Sequence, residues 1–357
     1  MDIAIIEDIE ECARLKDDWN EIVAQEAASI HGMGVTETYD WAMAVWRNDL
    51  AAKPQTIIAL RDGDRVVGIL PCYRRMTKFL GAGRRELAPL TELYSGRCGF
   101  LLRSGSPDHL RQLLRFLHAE IRDWDRFSFT LVDDSASDRA FRAVSSRENY
   151  PIRKVGTYES PFISLSGCWE RYFNGLRKQF RYNLRSGDAK LTSLGSSSFK
   201  IYRQKESVGE FLQKILEIER SSWKETAGSS VTAEPRQENF YKIFTPIAAE
   251  NGWLRGAVLE LDGVPIAYNY GLMFEGICCC LKTSYSEKLK SLGPAQITMY
   301  KLLKALCATE DITAYDWMGR CEPFKMRWTS LTYTRTHYIM YRKNLRGRLE
   351  LLCSRIN

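Results

Sequence analysis

Apolar and polar positions follow three successive patterns between Gly276 and Leu306. Residues 277–281 form an apolar run, residues 282–293 are mostly polar, and apolar residues then recur at the spacing of a helix. This order predicts a buried strand, a loop and a helix with one apolar face. Pro294 suits the first turn of that helix, where a missing N–H group costs nothing.

The start of this helix is a candidate anion site. The amides of about Ala295 to Thr298 have no carbonyl to bond within the helix, and together with the helix dipole they attract a group such as phosphate. The loop is not a P-loop, because neither Gly-Lys-Ser nor Gly-Lys-Thr follows the glycine. Most strand–loop–helix junctions bind nothing, so this feature alone does not decide the function.

A second pattern occurs twice along the chain. Residues 55–74 contain two apolar strands around an Asp-Gly turn, and residues 253–274 repeat that order. Asp-Gly between apolar runs is a strong hairpin signal. Pro107 and Pro294 each begin a helix that leads into an apolar strand, residues 127–132 and 312–317. The repeated order predicts a duplicated α/β unit, with chance as the rival explanation, because hairpin–helix–strand order is common.

The segments outside the repeated pattern carry three further predictions. The glycine-rich residues 76–106 predict a long irregular loop. Ser207 and Glu210 predict a capping box at the start of an amphipathic helix that extends to Lys224. A helix predicted over residues 168–191 places an apolar stripe opposite six basic residues: Arg171, Arg177, Lys178, Arg181, Arg185 and Lys190. That basic side is either a solvated face or a face that contacts an anion.

Composition narrows the class of protein. The 357 residues suggest about two domains, and 45% hydrophobic with 27% charged residues is ordinary for a globular protein. A net charge of +7 favours an anionic partner without choosing between a nucleotide cofactor, RNA and a membrane surface. No apolar run approaches the roughly 18 residues of a membrane span, and the acidic N-terminus lacks the order of a signal peptide. We therefore expect a cytoplasmic protein.

Cysteine and histidine usage predicts no metal site. The ten cysteines include no C-x-x-C pair, and the four histidines are scattered. Cys278, Cys279 and Cys280 are consecutive, so on a strand they alternate between faces and act as small apolar residues. This usage is typical of a reducing compartment.

Four groups of residues, in this order, resemble the Gcn5-related N-acetyltransferase (GNAT) fold. They are residues 218–224 (IERSSWK); Tyr268 to Gly271 (YNYG); Tyr285 through Leu292-Gly293-Pro294; and residues 315–319 (YDWMG) with Glu322, Phe324-Lys325 and Arg327-Trp328. The chain looks closest to the CelD/BcsL-type acyltransferases of bacterial exopolysaccharide and cellulose gene clusters, which are related to the FemABX transferases through a doubled GNAT core. The resemblance covers residues 158–345 well and the whole chain loosely.

The resemblance implies an α/β fold with a mixed sheet and tandem GNAT-like domains in a FemABX-like architecture. The expected domains are a degenerate GNAT-like domain over residues 1–155, an acyltransferase domain over residues 156–345 and a tail from residue 346 to residue 357. The first domain is expected to have lost its own cofactor site and to form a wall of the acceptor cleft.

The acyl donor implied by the resemblance is acyl-CoA, with acetyl-CoA as the simplest case. Its pantetheine arm is expected in a gap between the strands 264–274 and 277–285, near Tyr270, Lys282 and Thr283. The expected phosphate loop comprises Leu292, Gly293, Pro294, Ala295 and Gln296. Of the family's Q/R-x-x-G-x-G/A signature only Gly293 and Ala295 remain. That departure leaves an acyl carrier protein, or no acyl donor, as alternatives.

The same resemblance implies candidate catalytic residues. Direct attack by an amine on a thioester needs a base, for which Glu219 and Asp316 are the candidates. Each has a plainer role open to it: Glu219 as a surface carboxylate or ion-pair partner, and Asp316 as the partner of Lys325 or Arg327. Lys325 is a candidate for stabilising negative charge, and Tyr270 or Tyr268 for protonating the thiolate, although packing is an alternative role for both.

Residues expected to bind the acceptor are Trp223, which suits the floor of a sugar site, and Tyr268, Asn269, Trp317 and Arg327. The predicted function is transfer of an acyl group to an amine, such as an amino sugar of cell-envelope or exopolysaccharide synthesis, with peripheral association with membrane polysaccharide machinery. The alternatives are a FemX-like transferase that uses aminoacyl-tRNA, which the basic helix favours, and a non-catalytic subunit of a polysaccharide synthase. Nucleic acid is a partner only in the tRNA alternative.

Overall fold

The computed structural model describes residues 1–27, 29–50, 55–79, 81–165 and 169–354, apart from the side chains of Leu50 and Thr226. The strands are β1 (Asp2–Ile6), β2 (Gln55–Asp62), β3 (Arg65–Phe79), β4 (Ala82–Pro89), β5 (Leu101–Leu102), β6 (Arg126–Val132), β7 (Ile152–Ser164), β8 (Ser197–Tyr202), β9 (Leu254–Leu261), β10 (Val264–Phe274), β11 (Ile277–Tyr285), β12 (Ala314–Asp316) and β13 (Thr332–Tyr341). The α-helices are α1 (Ile9–Cys12), α2 (Lys16–Glu26), α3 (Tyr39–Val45), α4 (Pro107–Ala119), α5 (Ala136–Glu148), α6 (Trp169–Gly175), α7 (Lys178–Leu194), α8 (Val208–Arg220), α9 (Trp223–Thr226), α10 (Pro235–Glu250), α11 (Pro294–Thr309) and α12 (Leu345–Cys353).

The first compact unit combines Met1–Glu159 with the chain from Tyr333 onward. Its strands lie in the order β1-β2-β3-β4-β6-β13, and β5 pairs with β3. The predicted hairpin is β2–β3, whose turn includes Gly63 at φ +59°, a backbone conformation that glycine adopts without strain. Leu113 of α4 and Phe141 of α5 belong to the apolar core that packs on Phe127 and Phe129 of β6. Polar residues of β6 therefore point to the opposite face.

A strand occupies part of the stretch that was predicted as a loop. β3 extends to Phe79, and β4 pairs with it from Ala82 to Pro89, so the prediction of an irregular loop over residues 76–106 was wrong for its first half. The charged sequence AGRREL does not predict a buried strand. Its residues Arg84 and Glu86 are nevertheless buried, because they form ion pairs with residues that come close only in the folded chain. Residues 90–100 are irregular apart from a short 3-10 turn at Leu90–Glu92.

The second compact unit is Ser160–Thr332, with the strand order β7-β12-β11-β10-β9-β8. β10, β11 and α11 begin where the sequence predicted them to begin. Helix α11 packs on one face of this sheet, and α8 packs on the other against β10. Both units thus contain a hairpin, a helix and a strand in the predicted tandem order.

Two helix predictions in this unit need correction. The basic helix is interrupted near Leu176 and forms α6 and α7, and its predicted first residue, Cys168, lies outside the described residues. The capping box does not form, because the side chain of Ser207 caps no amide at the start of α8. Glu210 instead accepts hydrogen bonds from Lys200, Tyr202 and Lys214.

The predicted gap between β10 and β11 is absent. These strands pair from Ala267 to Phe274 with a single bulge, and Tyr270 lies directly opposite Lys282. A tight turn at Glu275-Gly276 joins them, so antiparallel pairing begins at once. β11 and β12 are parallel and need the helix α11 as a crossover, and only Ile277 to Cys279 pair with Ala314 to Asp316. The strands that diverge in this unit are therefore β11 and β12.

The compact units do not coincide with the predicted domains. The first boundary lies after Glu159, and the chain returns to the first unit at Tyr333, inside the span 156–345 predicted for the second domain. The tail predicted from residue 346 contains most of α12. No helix within the described ranges is both long and apolar enough to cross a membrane.

Candidate active site

The gap between β11 and β12 is produced by a sharp turn at the end of β12. Asp316 is the last paired residue, and its Oδ1 accepts the Met318 amide at 2.8 Å. Met318 has φ +52°, which turns the chain away from β11. Beyond Cys279 the described residues provide no strand partner on this side of β11. Asp316, predicted as a base, is placed where it stabilises the opening of the gap.

A β-bulge lies on β11 next to the gap. The pairing with β10 shifts between Tyr270, opposite Lys282, and Gly271, opposite Cys280, so Leu281 has no partner in register. A bulge leaves the extra residue unpaired and re-aims the side chains on either side of it. Leu281 also lies beyond Cys279, where β11 has no β12 partner, so the bulge borders the gap.

Two lysines lie close to this part of the sheet. The Lys224 ammonium, which follows α8 at the start of α9, donates to the Thr283 carbonyl at 2.5 Å. Burial lowers the pKa of Lys224, Glu219 opposes this shift, and Lys325 adds to it. Lys325 is 8% exposed, and its Nζ lies 3.0 Å from Glu322. Lys325 was predicted as a partner of Asp316, and the structure gives it an ion pair with Glu322.

The floor of the gap contains a buried polar network. The Asn269 side-chain amide donates to the Tyr315 hydroxyl at 2.7 Å and lies 3.5 Å from the Cys280 sulfur. Burial raises the pKa of the Cys280 thiol, which the nearby lysines partly counteract. Within the described chain, Asn269 Oδ1, Ser284 Oγ and Trp317 Nε1 are buried without a hydrogen-bond partner. Unpaired buried polar atoms are rare and point to a ligand or ordered water.

A second polar cluster lies against α8. Glu219 is fully buried, and its two oxygens accept the Tyr268 hydroxyl at 2.6 Å and the Val231 amide at 2.8 Å. Lys282 Nζ lies 3.9 Å from Glu219 and donates to Gln237 at 2.6 Å. Burial lowers the pKa of Lys282 to about 8, although Glu219 raises it. Glu219, Tyr268 and Lys282 therefore form one group.

Other predicted site residues are placed differently. The Tyr270 hydroxyl bonds Thr245 at 2.7 Å inside an aromatic core, so it packs between sheet and helices and does not reach the gap. Trp223 is 47% exposed and is not a core residue. Trp317 is buried against Tyr315, whereas Arg327 is exposed. Thr283 contributes its carbonyl to Lys224, and its hydroxyl donates to the Tyr268 carbonyl.

The predicted phosphate loop keeps a glycine turn with open space around it. Gly293 has φ +67°, and a Cβ added there would meet nothing within 4 Å. Its carbonyl accepts the amides of Gln296 and Ile297, so two of the expected free amides are already used. The Gln296 side chain accepts the Trp328 indole N–H at 2.6 Å. Pro294 is buried at the helix start, while Leu292 and Ala295 are half-buried beside it.

Sequence reasoning did not assign roles to Lys224, Leu281, Cys280 or Tyr315. A lysine after an exposed tryptophan carries no periodic signal, and a bulge has no signature in a run of cysteines. The Cys280–Tyr315 contact joins strands separated by a whole helix. The one sequence signal for Lys224 is its place in Ser-Ser-Trp-Lys, the stretch at which the helical periodicity of α8 ends.

Gly319 offers a mild way to move Lys325. A Cβ at Gly319 would lie 2.5 Å from Lys325 Nζ, and its next neighbour would be 3.7 Å away. Gly319→Ala should therefore leave the fold intact and displace the ammonium, which we expect to lower turnover by about 10-fold to 100-fold. Turnover and the unfolding temperature check this, with Gly209→Ala, which adds a Cβ in open space, as the control. An unchanged rate would show that the ammonium's position does not matter.

Comparisons with known proteins agree with this geometry. Residues 178–326 match the family model described as "Acetyltransferase (GNAT) domain". A crystal structure of FemX has a TM-score of 0.62 at 12% identity and covers 99% of both chains. L-PGS from Bacillus licheniformis has a TM-score of 0.53 at 12% identity, covering 95% of both chains. No curated protein sequence matches the chain.

A tandem GNAT protein from the clavulanic acid biosynthesis pathway, solved without AcCoA, is also similar. It has a TM-score of 0.51 at 13% identity and covers 96% of this chain and 99% of its own. These likenesses show a tandem GNAT fold of the FemABX type. The matched GNAT acetyltransferase domain indicates an acyltransferase, and GNAT domains generally use acyl-CoA.

Proposed function

We propose that the chain transfers an acyl group from acyl-CoA to the amine of an amino sugar, at the gap between β11 and β12. The observation that carries this proposal is the divergence of the two parallel strands after Cys279 and Asp316. It leaves an open strand edge on β11, and a pantetheine arm carries amides that can pair with such an edge.

The donor thioester would lie along β11 with its carbonyl at the bulge. The unpaired backbone of Leu281 and the ammonium groups of Lys224 and Lys325 supply positive charge where the oxyanion develops. The amine attacks the thioester carbon, the C–N bond forms, and collapse of the tetrahedral intermediate breaks the C–S bond. A lysine ammonium then protonates the departing thiolate. The open turn at Gly293 and Ala295 would receive the pyrophosphate.

Lys282 is the best placed group to take the proton from the amine. The Lys282 side chain is 11% exposed to solvent, whereas that of Glu219 is fully buried. Both Glu219 oxygens already accept hydrogen bonds, from Tyr268 and Val231. A pKa of about 8 leaves a useful fraction of the lysine neutral near pH 7.5. Glu219 is then a positioning residue that raises the pKa of Lys282, and Asp316 is one that holds the gap open.

The pH dependence of kcat/KM tests this assignment. We expect kcat/KM to rise with pH and to level off above an inflection near 8, because only neutral Lys282 accepts a proton. In Glu219→Gln the negative charge that raises the lysine pKa is lost, so the inflection should move down by about one unit. Lys282→Met should lose the inflection and about 100-fold in rate.

The acceptor amine also titrates, so the inflection belongs to the enzyme only if Lys282→Met removes it. Glu238→Gln, which breaks an exposed pair on α10, is the control. If Glu219→Gln is inactive at every pH, Glu219 itself is the base and this assignment is wrong.

Trp223 supports a sugar as the acceptor. Trp223 directly precedes Lys224, and an exposed tryptophan face is a suitable floor for a sugar ring. Amino sugars of cell-envelope or exopolysaccharide synthesis, as in CelD/BcsL-type enzymes, combine such a ring with a free amine. We propose that the chain acts in the cytoplasm, beside a membrane-bound polysaccharide machinery. Its acyl donor is acyl-CoA or an acyl carrier protein.

Transfer from aminoacyl-tRNA is the second candidate. Helix α7 exposes Lys178, Arg185 and Lys190, and Tyr182 among them is 64% exposed. An exposed aromatic ring within a basic surface is typical of sites where nucleotide bases stack. The similarity of fold to FemX is compatible with this alternative.

A thermal-shift panel separates the candidates. Acetyl-CoA, longer acyl-CoAs and bulk tRNA are added to the full chain. Acyl-CoA at 100 times its Kd should add about 2.7 kcal/mol of stability, while tRNA should add none. A response to tRNA alone would favour the second candidate. No response to any of them would favour a non-catalytic subunit of a polysaccharide synthase.

A further inference from the structure

Helix α12 of the first unit turns its leucines toward solvent. Leu345, Leu349 and Leu352 are 75%, 52% and 56% exposed. Residues spaced by four and three lie on one side of a helix, so these side chains form a single apolar row, which we call the leucine stripe. A surface helix normally turns such a row toward the core. The orientation of α12 is therefore the reverse of the usual one.

Contacts on the inner face hold α12 in this orientation. Gly347 lies so close to the carbonyl of Arg342 that an added Cβ would collide with it. Glu350 is buried, and its carboxylate lies 3.8 Å from the guanidinium of Arg84 in β4. Rotating the leucine stripe inward would carry Glu350 away from Arg84, and separating a buried ion pair is costly.

The exposed charge around the leucine stripe has one sign. Four basic residues and one acidic residue occur within residues 342–354: Arg342, Lys343, Arg346, Arg348 and Glu350. The acidic residue is buried and paired, so it adds no negative charge to the surface. Arg348 is exposed beside the stripe and forms no ion pair with any described residue. A partner for this face must therefore combine apolar groups with negative charge.

A second copy of the chain does not meet that requirement. Pairing two leucine stripes would bring the arginines of both copies together, with no exposed carboxylate on α12 to balance them. The outer face of this nine-residue helix is also only about 14 Å long and 10 Å wide, whereas a stable protein interface buries about 800 Å² per partner. Binding to a lipid surface instead grows gradually with apolar area and charge.

We propose that the outer face of α12 lies on an anionic phospholipid surface. The leucine stripe enters the boundary between headgroups and acyl chains, and the basic side chains extend to the lipid phosphates. Both parts are needed, because a small apolar row or a few basic residues alone bind membranes weakly. The proposal names a lipid contact for the peripheral location proposed above. It rests on α12, which contributes no residue to the candidate active site, so either proposal can fail without the other.

Sedimentation of the full chain with vesicles tests the lipid contact. Vesicles of phosphatidylcholine alone are compared with vesicles of equal parts phosphatidylcholine and phosphatidylglycerol. We expect binding to the anionic vesicles to be at least about tenfold stronger than to the neutral ones, and added salt should release the protein. Equal binding to both kinds of vesicle, or binding to neither, would overturn the proposal.

A double variant of the leucine stripe locates the contact. Leu345→Gln combined with Leu349→Gln should weaken vesicle binding at least about tenfold. Its unfolding temperature should not change, because both leucines are exposed. Leu194→Gln, which changes a 58% exposed leucine of α7, is the matched control and should bind as the unmodified protein does. Full binding by the folded double variant, or a loss of binding in the control, would show that lipid contacts another surface.

Arg348→Gln tests the charge separately, and it serves if the double variant fails to fold. It should weaken binding to the anionic vesicles about fivefold. Arg65→Gln removes the same charge at a turn residue whose side chain is 58% exposed, and it should change nothing. If the two variants lose binding equally, the net charge of the protein holds it on the vesicle and the proposal is wrong.

Hydrogen exchange gives a readout that is independent of affinity. On anionic vesicles a peptide covering residues 342–354 should exchange more slowly. A peptide covering the basic helix α7, Lys178–Leu194, should exchange at its usual rate. Protection of α7 alone would place the lipid there and overturn the proposal.

Sedimentation velocity without vesicles examines the other possible occupants of α12. We expect a monomer. A dimer that the double variant loses would assign the leucine stripe to a second copy, and a monomer that ignores vesicles would leave an acidic protein as the partner; each result would overturn the proposal. Turnover of a soluble amine should be the same in the double variant and the unmodified protein, so a failure of lipid binding leaves the proposed acyl transfer untouched.

Discussion

Lys325→Met protein is expected to bind acyl-CoA as tightly as the unmodified protein and to turn over about 10²-fold to 10³-fold more slowly. The reason is that the ammonium of Lys325 acts on charge that exists only in the transition state, so ground-state binding does not depend on it. Lys224→Met should behave in the same way, because its ammonium lies on the open edge of β11, at the Thr283 carbonyl.

Neither substitution should unfold the protein. Burial lowers the pKa of Lys224, so replacing this lysine by an apolar residue of similar length removes a desolvated charge. Single-turnover kinetics with acetyl-CoA and titration calorimetry separate the rate from the affinity. Lys242→Met, on α10 with its side chain 55% exposed, is the control. Full turnover in both variants, with the fold retained, would remove the site at the diverging strands.

Glu86→Gln should lower the free energy of unfolding of the first unit by about 3 kcal/mol. The Glu86 carboxylate is fully buried and is shared by two guanidinium groups, so its neutralisation leaves both cations without their counter-charge. The loss stays at the lower end of the range for broken buried pairs, because Arg75 keeps 36% of its side chain in water. Glu86→Gln should also expose the pairing of β4 with β6 to solvent.

Hydrogen exchange of a peptide that covers Arg126–Val132 measures this loss locally. Glu7→Gln provides the control, since that carboxylate is 61% exposed beside Arg74 and its neutralisation should change stability by less than about 0.5 kcal/mol. If exchange is the same in Glu86→Gln as in the unmodified protein, the two arginines do not depend on Glu86.

Local patterns were sufficient to predict the central elements of the second unit. β10 and β11 are apolar strands joined by a tight turn, and Pro294 marks the first residue of α11. These signals lie within a few residues of one another, which is why they can be read from the sequence. The duplication was visible for the same reason, because each unit repeats a hairpin, a helix and a strand.

The place of the gap could not be predicted in this way. The turn at Asp316 and Met318 decides which neighbouring strand pairs with β11 along most of its length. A positive φ at a methionine has no sequence signature, so this turn could not be predicted. β4 was missed because its charged residues become buried only through ion pairs with distant parts of the chain, such as Arg84 with Glu350. Long-range charge pairing of this kind is invisible to periodicity.

Some site residues could be predicted from the sequence and others could not. The family pattern led to Glu219, Lys325 and Asn269, which the structure places near the sheet in polar clusters. It could not show that Tyr270 points into an aromatic core, because the bulge at Leu281 decides how β10 and β11 align there. Lys224 acquires its position from the end of α8, through contacts that form only in the folded chain.

The return of the chain to the first unit at Tyr333 has a consequence for biosynthesis. β6 finds its neighbour β13 some two hundred residues later, with Thr130 opposite His337. A ribosome has therefore released the whole of Ser160–Thr332 before the first unit can complete its sheet. The second unit can fold first, while residues 1–159 still have an unpaired strand edge. Such an edge can pair with other chains and lead to aggregation. Residues 1–159 expressed alone would keep that edge permanently open.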